Sequence, residues 1–212
     1  MIRHLLLLAV GIGGSLAFGD TINLSTGLDA SGNLITTDLA CDAHWTVDGI
    51  GACSPNAQVV MSEDQDWSTP WVPDGPQSNW IARNAGQKYG NGFNTYSVQF
   101  FLPTTAGASL NGEWTIDDIG TISLNGHLLG FLPDVSWGSL FPVSAPASDF
   151  VTGVNTLSIS ITLSDIYLEG VRFQGGVSFT PVPEPPSRLL LLAGLGIMAI
   201  IVRLRRSSRS AA

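Results

Sequence analysis

A single lysine, Lys88, stands in the whole 212-residue sequence, and between positions 20 and 182 the only other cations are Arg83 and Arg172. Sixteen Asp and Glu residues face those three across the same stretch, a net charge of −13. A surface of that sign repels nucleic acid and anionic lipid. It suits solubility, and equally the capture of a structural Ca²⁺ by loop carboxylates and backbone carbonyls. Catalytic signatures are missing too. There is no Gly-x-Ser-x-Gly elbow, no His-Glu-x-x-His, no P-loop and no Cys-x-x-Cys. Histidine is scarce: apart from His4 near the start there are only His44 and His127, both expected in structural roles. The pattern excludes the common enzyme classes, and a non-enzymatic protein is expected.

Cysteine is nearly absent as well, and its placement is read together with the chain's beginning. Arg3 and His4 lead into an apolar run, Leu5 to Val10, which loosens into glycines before Ala17-Phe18-Gly19. This is the layout of a secretory signal peptide over residues 1–19, with small residues at −3 and −1 of a cut after Gly19. Gly11, Gly13 and Gly14 disfavour a buried helix at about 1 kcal/mol each. Gly11-Ile12-Gly13-Gly14 is not a nucleotide loop, because no strand precedes it and no acidic residue follows at the required distance. The only cysteines, Cys41 and Cys53, thus lie in an exported stretch, where an even pair forms a disulfide. Closing a loop of this size stabilises the fold by about 3 kcal/mol. No second Cys or His pair accompanies them, so zinc is not expected.

Long apolar runs are absent from the middle of the chain but not from its end. Leu189 to Val202 is continuously apolar, and Arg203, Arg205, Arg206 and Arg209 follow. As a helix the run is about 21 Å long, short of a full membrane span. Arg188 and Arg203 can snorkel from its two ends, and the basic flank stays in the cytoplasm, which places the rest of the chain outside. Before it stands Val182-Pro183-Glu184-Pro185-Pro186-Ser187, too rich in proline to continue a strand and extended enough for a processing enzyme to grip. Pro183, Glu184 and Pro185, the apolar helix at 189–202 and the arginine cluster, taken in that order over 183–212, resemble the PEP-CTERM sorting signal. That resemblance implies recognition by an exosortase and passage through the inner membrane of a Gram-negative bacterium that makes exopolysaccharide. The final location would be the cell surface or the extracellular matrix. An ordinary tail anchor behind a proline-rich stalk is the alternative.

Helical periodicity is missing from residues 20–182, a length that fits one domain. Period two takes its place. Thr156-Leu157-Ser158-Ile159-Ser160-Ile161-Thr162-Leu163 alternates without a break, so Leu157, Ile159, Ile161 and Leu163 share a buried face. Tyr96, Val98, Phe100 and Leu102 repeat the pattern, as do Val171 and Phe173 and, after Gly175-Gly176, Val177 and Phe179. Asn125-Gly126, between Thr121-Ile122-Ser123-Leu124 and His127-Leu128-Leu129-Gly130-Phe131, predicts a two-residue type I′ hairpin. An all-β antiparallel sandwich follows. Between Asp64 and Gly92 no strand is predicted, and Trp67, Trp71 and Trp80 punctuate a long polar loop that is either functional or pinned by its aromatics.

Thr26-Gly27-Leu28-Asp29, His44-Trp45-Thr46-Val47, Asn79-Trp80-Ile81 and Tyr96-Ser97-Val98 come in an order that resembles galactose-binding-like jelly-roll domains of PEP-CTERM proteins. The stretches Gly112-Glu113-Trp114-Thr115-Ile116-Asp117-Asp118, Leu124-Asn125-Gly126, Gly153-Val154-Asn155-Thr156-Leu157 and Leu168-Glu169-Gly170-Val171-Arg172 continue it. The resemblance spans roughly residues 26–179 and implies a fold shared with carbohydrate-binding modules, while fold alone does not supply a ligand. It also implies that a structural Ca²⁺ is a candidate.

Indoles stack on the C–H faces of sugar rings. Trp67, Trp71 and Trp137 are candidates for such platforms or for pinning the loop, whereas Trp80 and Trp114 are expected to pack. Asp117-Asp118, with Glu113 and Glu169 farther off, leave a glycosidase as a remote alternative. Adjacent strand residues point to opposite faces, so the Asp pair can cooperate only on a turn, where its side chains would bond local amides. The reading is an exported, exosortase-sorted surface or matrix protein that binds exopolysaccharide. The alternative is a purely structural matrix protein with no specific ligand.

Overall fold

The computed structural model describes residues 19–61, 71–84, 92–162, 169–181 and 194–198. The chain divides into two compact units, a body of residues 18–181 and a second unit made of residues 1–17 and 182–212. The described part of the second unit is a helical turn at 194–198. Among the described residues no helix is long and apolar enough to cross a membrane. The predicted signal peptide, the Pro183-Glu184-Pro185 motif, the arginine cluster and most of the 189–202 run lie outside the described residues.

The body is all-β. Its described strands are β1 (Asp20–Asn23), β2 (Cys41–Val47), β3 (Asn56–Val59), β4 (Ile81–Ala82), β5 (Phe93–Leu102) and β6 (Ser109–Asp117). They continue with β7 (Ile119–Leu124), β8 (His127–Leu132), β9 (Phe141–Ala145), β10 (Gly153–Thr162) and β11 (Gly170–Phe179). Hydrogen bonding runs in the order β8-β7-β10-β5-β2-β3-β4-β11-β6-β9, with β1 added to β11. Every pairing is antiparallel. The two terminal strands of this path, β8 and β9, approach each other, so the sheet is nearly closed and leaves little open edge.

The alternating stretches become the long central strands. In β10 and β5, Ile159 pairs with Tyr96 and Leu157 with Val98, and the side chains of Leu157, Ile159, Ile161, Tyr96, Val98, Phe100 and Leu102 are all buried. Leu163 lies outside the described residues. Asn125 and Gly126 have φ of 51° and 85°, both positive as a type I′ turn requires, and they join β7 to β8. In β11, Val171, Phe173, Val177 and Phe179 all face the core on both sides of the Gly175-Gly176 irregularity.

The predicted strandless loop holds a short strand. β4 lies inside it, with Ile81 paired both to Val59 and to Val171, where it links the two halves of the hydrogen-bonded path. Two apolar residues between polar loop segments give no period-two signal, which is why the strand is invisible in the sequence.

Cys41 and Cys53 form a disulfide, with their Cα atoms 5.5 Å apart. It spans the β2–β3 connection, whose pairing register shifts between Cys41 and Thr46. At the start of β2 the buried Asp42 organises the neighbouring backbone, accepting hydrogen bonds from the amides of Gly27 (2.6 Å), His44 (2.7 Å) and Trp45 (2.8 Å). Burial pushes its carboxyl above the ordinary Asp value, and these three donors work in the opposite direction.

Candidate functional site

Two groups of side chains, one beside the main core and one reaching into it at Tyr96, carry much of the polar chemistry of the body. The first lies where the segment 71–80 packs beside β11. Trp71 and Trp80 stack with ring centroids 4.2 Å apart, and with Val60 and Ala82 they form a second buried cluster against which Val72 and Trp137 pack. Trp80 Nε1 donates to Val72 O at 2.9 Å, and the Val72 amide donates to Trp137 O at 2.7 Å. Arg172 is buried under the same segment, its Nε donating to Ser78 Oγ at 2.9 Å and its Nη1 to the Pro73 carbonyl. Burial lowers the pKa of its guanidinium, and the negative charges of Asp74 and Glu113 oppose that shift. Arg172 fastens a strandless segment to a strand, a role that needs the several donors of a guanidinium.

Trp71 is 8% exposed, and its Nε1 donates to Asp117 Oδ2 at 2.7 Å. One indole face lies on Trp80, and its ring edge sits close over Gly170, where an added Cβ would come within 2.7 Å. Of the three candidate sugar platforms, Trp71 is thus packed inside the protein, Trp137 is half-buried against the same cluster, and Trp67 lies outside the described residues. Trp80 and Trp114 are buried, as is Trp45, whose Nε1 donates to Leu24 O.

Asp117 ends β6 and Asp118 falls between β6 and β7, so the pair sits on a corner rather than within a strand. The peptide bond between them is cis. There the carboxylate oxygens of Asp117, Asp118 and Asp134 come within 4.8 Å of one another. The expectation that this pair only bonds local amides misses Trp71, a partner 46 residues away. Three carboxylates are hard oxygen donors of the kind Ca²⁺ takes, but they supply fewer than the six to eight oxygens of its shell, so carbonyls or water would have to complete it.

The second polar group surrounds Glu169, which is 1% exposed. Its Oε1 accepts from Tyr96 Oη at 2.8 Å and its Oε2 from Asn94 Nδ2. Burial raises the Glu169 carboxyl above its ordinary value, against the bonds from Asn94 and Tyr96 and the charge of Arg83. Tyr96 is pushed well above its own, by burial first and by Glu169 second. Glu113 accepts from Gln174 Nε2 at 2.7 Å. Glu113 and Glu169 thus have different hydrogen-bond partners. His44 Nε2 lies 2.8 Å from Asp29 O, and His127 is exposed at the start of β8.

The fold and its polar contacts define an all-β, disulfide-bonded body followed by a separate tail. Residues 181–206 of that tail match the family model of the PEP-CTERM protein-sorting motif. No curated protein matches the chain. The motif implies export and processing by an exosortase. Its match covers the tail and leaves the body's own activity open.

Proposed function

We propose that the body works outside the cell as a non-enzymatic matrix module that binds exopolysaccharide, delivered there by exosortase cleavage of the tail. The match at residues 181–206 carries the delivery half of this reading. Residues 1–19 act as the cleaved signal peptide, and the 189–202 run holds the chain in the inner membrane of a Gram-negative cell until the tail is cut. The body is read as a jelly roll of the galactose-binding-like kind. What supports this is the way consecutive strands from β9 to β11 leave one half of the hydrogen-bonded path for the other. What supports a non-enzymatic role is the commitment of its carboxylates: Glu169 to Tyr96 and Asn94, Glu113 to Gln174, Asp117 to Trp71.

Two experiments test the halves separately. Replacing Pro183, Glu184 and Pro185 with alanine should leave export intact and stop maturation, so that the full-length chain collects in the inner-membrane fraction. Wild-type protein at the cell surface that still yields peptides from 189–203 by mass mapping would reduce the tail to an anchor. For the body, pull-down of residues 20–182 on exopolysaccharide from an exosortase-bearing host should retain the protein. Failure to bind any glycan would leave a purely structural matrix protein, and release of reducing ends would make it a glycosidase.

A further inference from the structure

The outer face of β1, β11 and β6 holds a cavity of about 470 Å³. Its floor is set by strand register. Asn23 of β1 and Asn111 of β6 both stand opposite Gly176 of β11. Two side-chain amides therefore flank a residue without a side chain, two interstrand spacings or about 10 Å apart. In the next row Thr21 stands opposite Ser178. Asn23 Oδ1 accepts from the Ser25 amide at 3.0 Å and Asn111 Nδ2 donates to Ser109 Oγ at 3.3 Å, so both amides are oriented by the protein itself. Leu28 and Leu34, bridged to each other, add an apolar wall, and Gln77 adds a further amide from the segment that Arg172 ties down.

Among the described residues, none that lines this cavity is ionisable, in a body with sixteen acids. That decides the ligand class. A hard cation needs carboxylates, and an anion needs Arg or Lys; the lining offers neither. Amides and hydroxyls supply donors and acceptors together, and the wall of Leu28 and Leu34 supplies apolar surface. A neutral sugar, with hydroxyls at its edges and C–H groups on its faces, matches both. The volume falls within the usual range for small-ligand sites, about 300–1,000 Å³.

We propose that the Asn23–Gly176–Asn111 cavity is the binding site for a neutral glycan, an inference that rests on the polysaccharide-binding reading above and places it away from the tryptophans. The test uses the tail-free body, residues 20–182, which has its own core and disulfide. Calorimetry with dextran and galactomannan and an array of neutral oligosaccharides are the probes, and alginate is the anionic counterpart. Wild-type protein binds a neutral probe and not alginate. Asn111→Trp, which fills the cavity from an exposed position, weakens that binding by about tenfold or more with an unchanged melting temperature. Asn23→Ala, which removes a side-chain amide together with its bond to the Ser25 amide, and Gln77→Ala, which removes an amide, give smaller losses and cover the case in which Asn111→Trp fails to fold. Trp137→Ala retains binding. Neutral-glycan binding that survives all three cavity substitutions overturns the site and leaves the polysaccharide reading standing, and loss in Trp137→Ala alone moves the site to the indoles. Preference for alginate overturns the ligand class. No binding by wild-type protein to any probe overturns the polysaccharide reading and this site with it.

Discussion

The main core and the cluster around Trp71 and Trp80 are both apolar and both buried, yet they are built in opposite ways. The main core gathers alternate residues from nearly every strand, so most of its side chains are held by a backbone ladder as well as by their neighbours. The smaller cluster leans on two indoles, one at each end of segment 71–80, held by Arg172, Asp117 and a few carbonyls. That difference predicts that the first core opens cooperatively and the second by itself.

Phe173→Ala should have the largest effect. Phe173 is fully buried beside Trp45, and such a truncation costs about 3–5 kcal/mol, a large part of a domain's total stability. Urea unfolding should show it, with hydrogen exchange rising together in β5, β10 and β11. Replacing both Cys41 and Cys53 with serine should cost about 3 kcal/mol, read as a lower urea midpoint than that of the oxidised protein. Wild-type protein whose mass under non-reducing alkylation reports two free thiols would remove that expectation.

Trp71→Phe keeps a ring in the smaller cluster and deletes the bond to Asp117, a loss of about 2 kcal/mol for a hydrogen bond to a charged acceptor. Its exchange effect should be confined to residues 71–84. An equal rise in β5 and β10 would show that the two cores are one cooperative unit. The smallest effect is a slope. Because burial raises the folded-state pKa of Glu169 above its ordinary 4.5, its contribution to stability is present below that value and is lost as pH rises through the raised one. Glu169→Gln should therefore flatten the fall in stability as pH rises above 4.5, with the buried Asp42 contributing equally to both proteins. Asn94 Oδ1, which is buried without a hydrogen-bond partner, can accept from the new amide if the Asn94 side chain flips. A variant with the wild-type slope would mean that Glu169 does not carry the pH dependence.

The same contrast explains what could be read from the residues. Leu157, Ile159 and Ile161 announce a strand because a pleated backbone converts alternation into one buried face. Asn125-Gly126 announces a turn because few other pairs accept positive φ twice. Cys41 and Cys53 follow from compartment. The side of the sheet on which Trp71 would end could not be read, because its placement depends on Asp117, Trp80 and Gly170, which are distant in sequence and share no period. Arg172 and Glu169 gave no signal as loop and core anchors for the same reason. The cavity over Gly176 depends on the register of three strands, and register between β1 and β11 joins residues more than 150 positions apart.

The pairing of β1 with β11 has a mechanical consequence. Asp20 lies opposite Phe179, so the first and last strands of the body run side by side, and β11 is also laddered along most of its length to β6. A load applied along the axis of β11 meets its ladders to β1 and β6 in shear. Their hydrogen bonds lie across that axis and share the load, so they must rupture together instead of peeling one by one. Along that axis the body withstands more force than when the same load is applied across its strands.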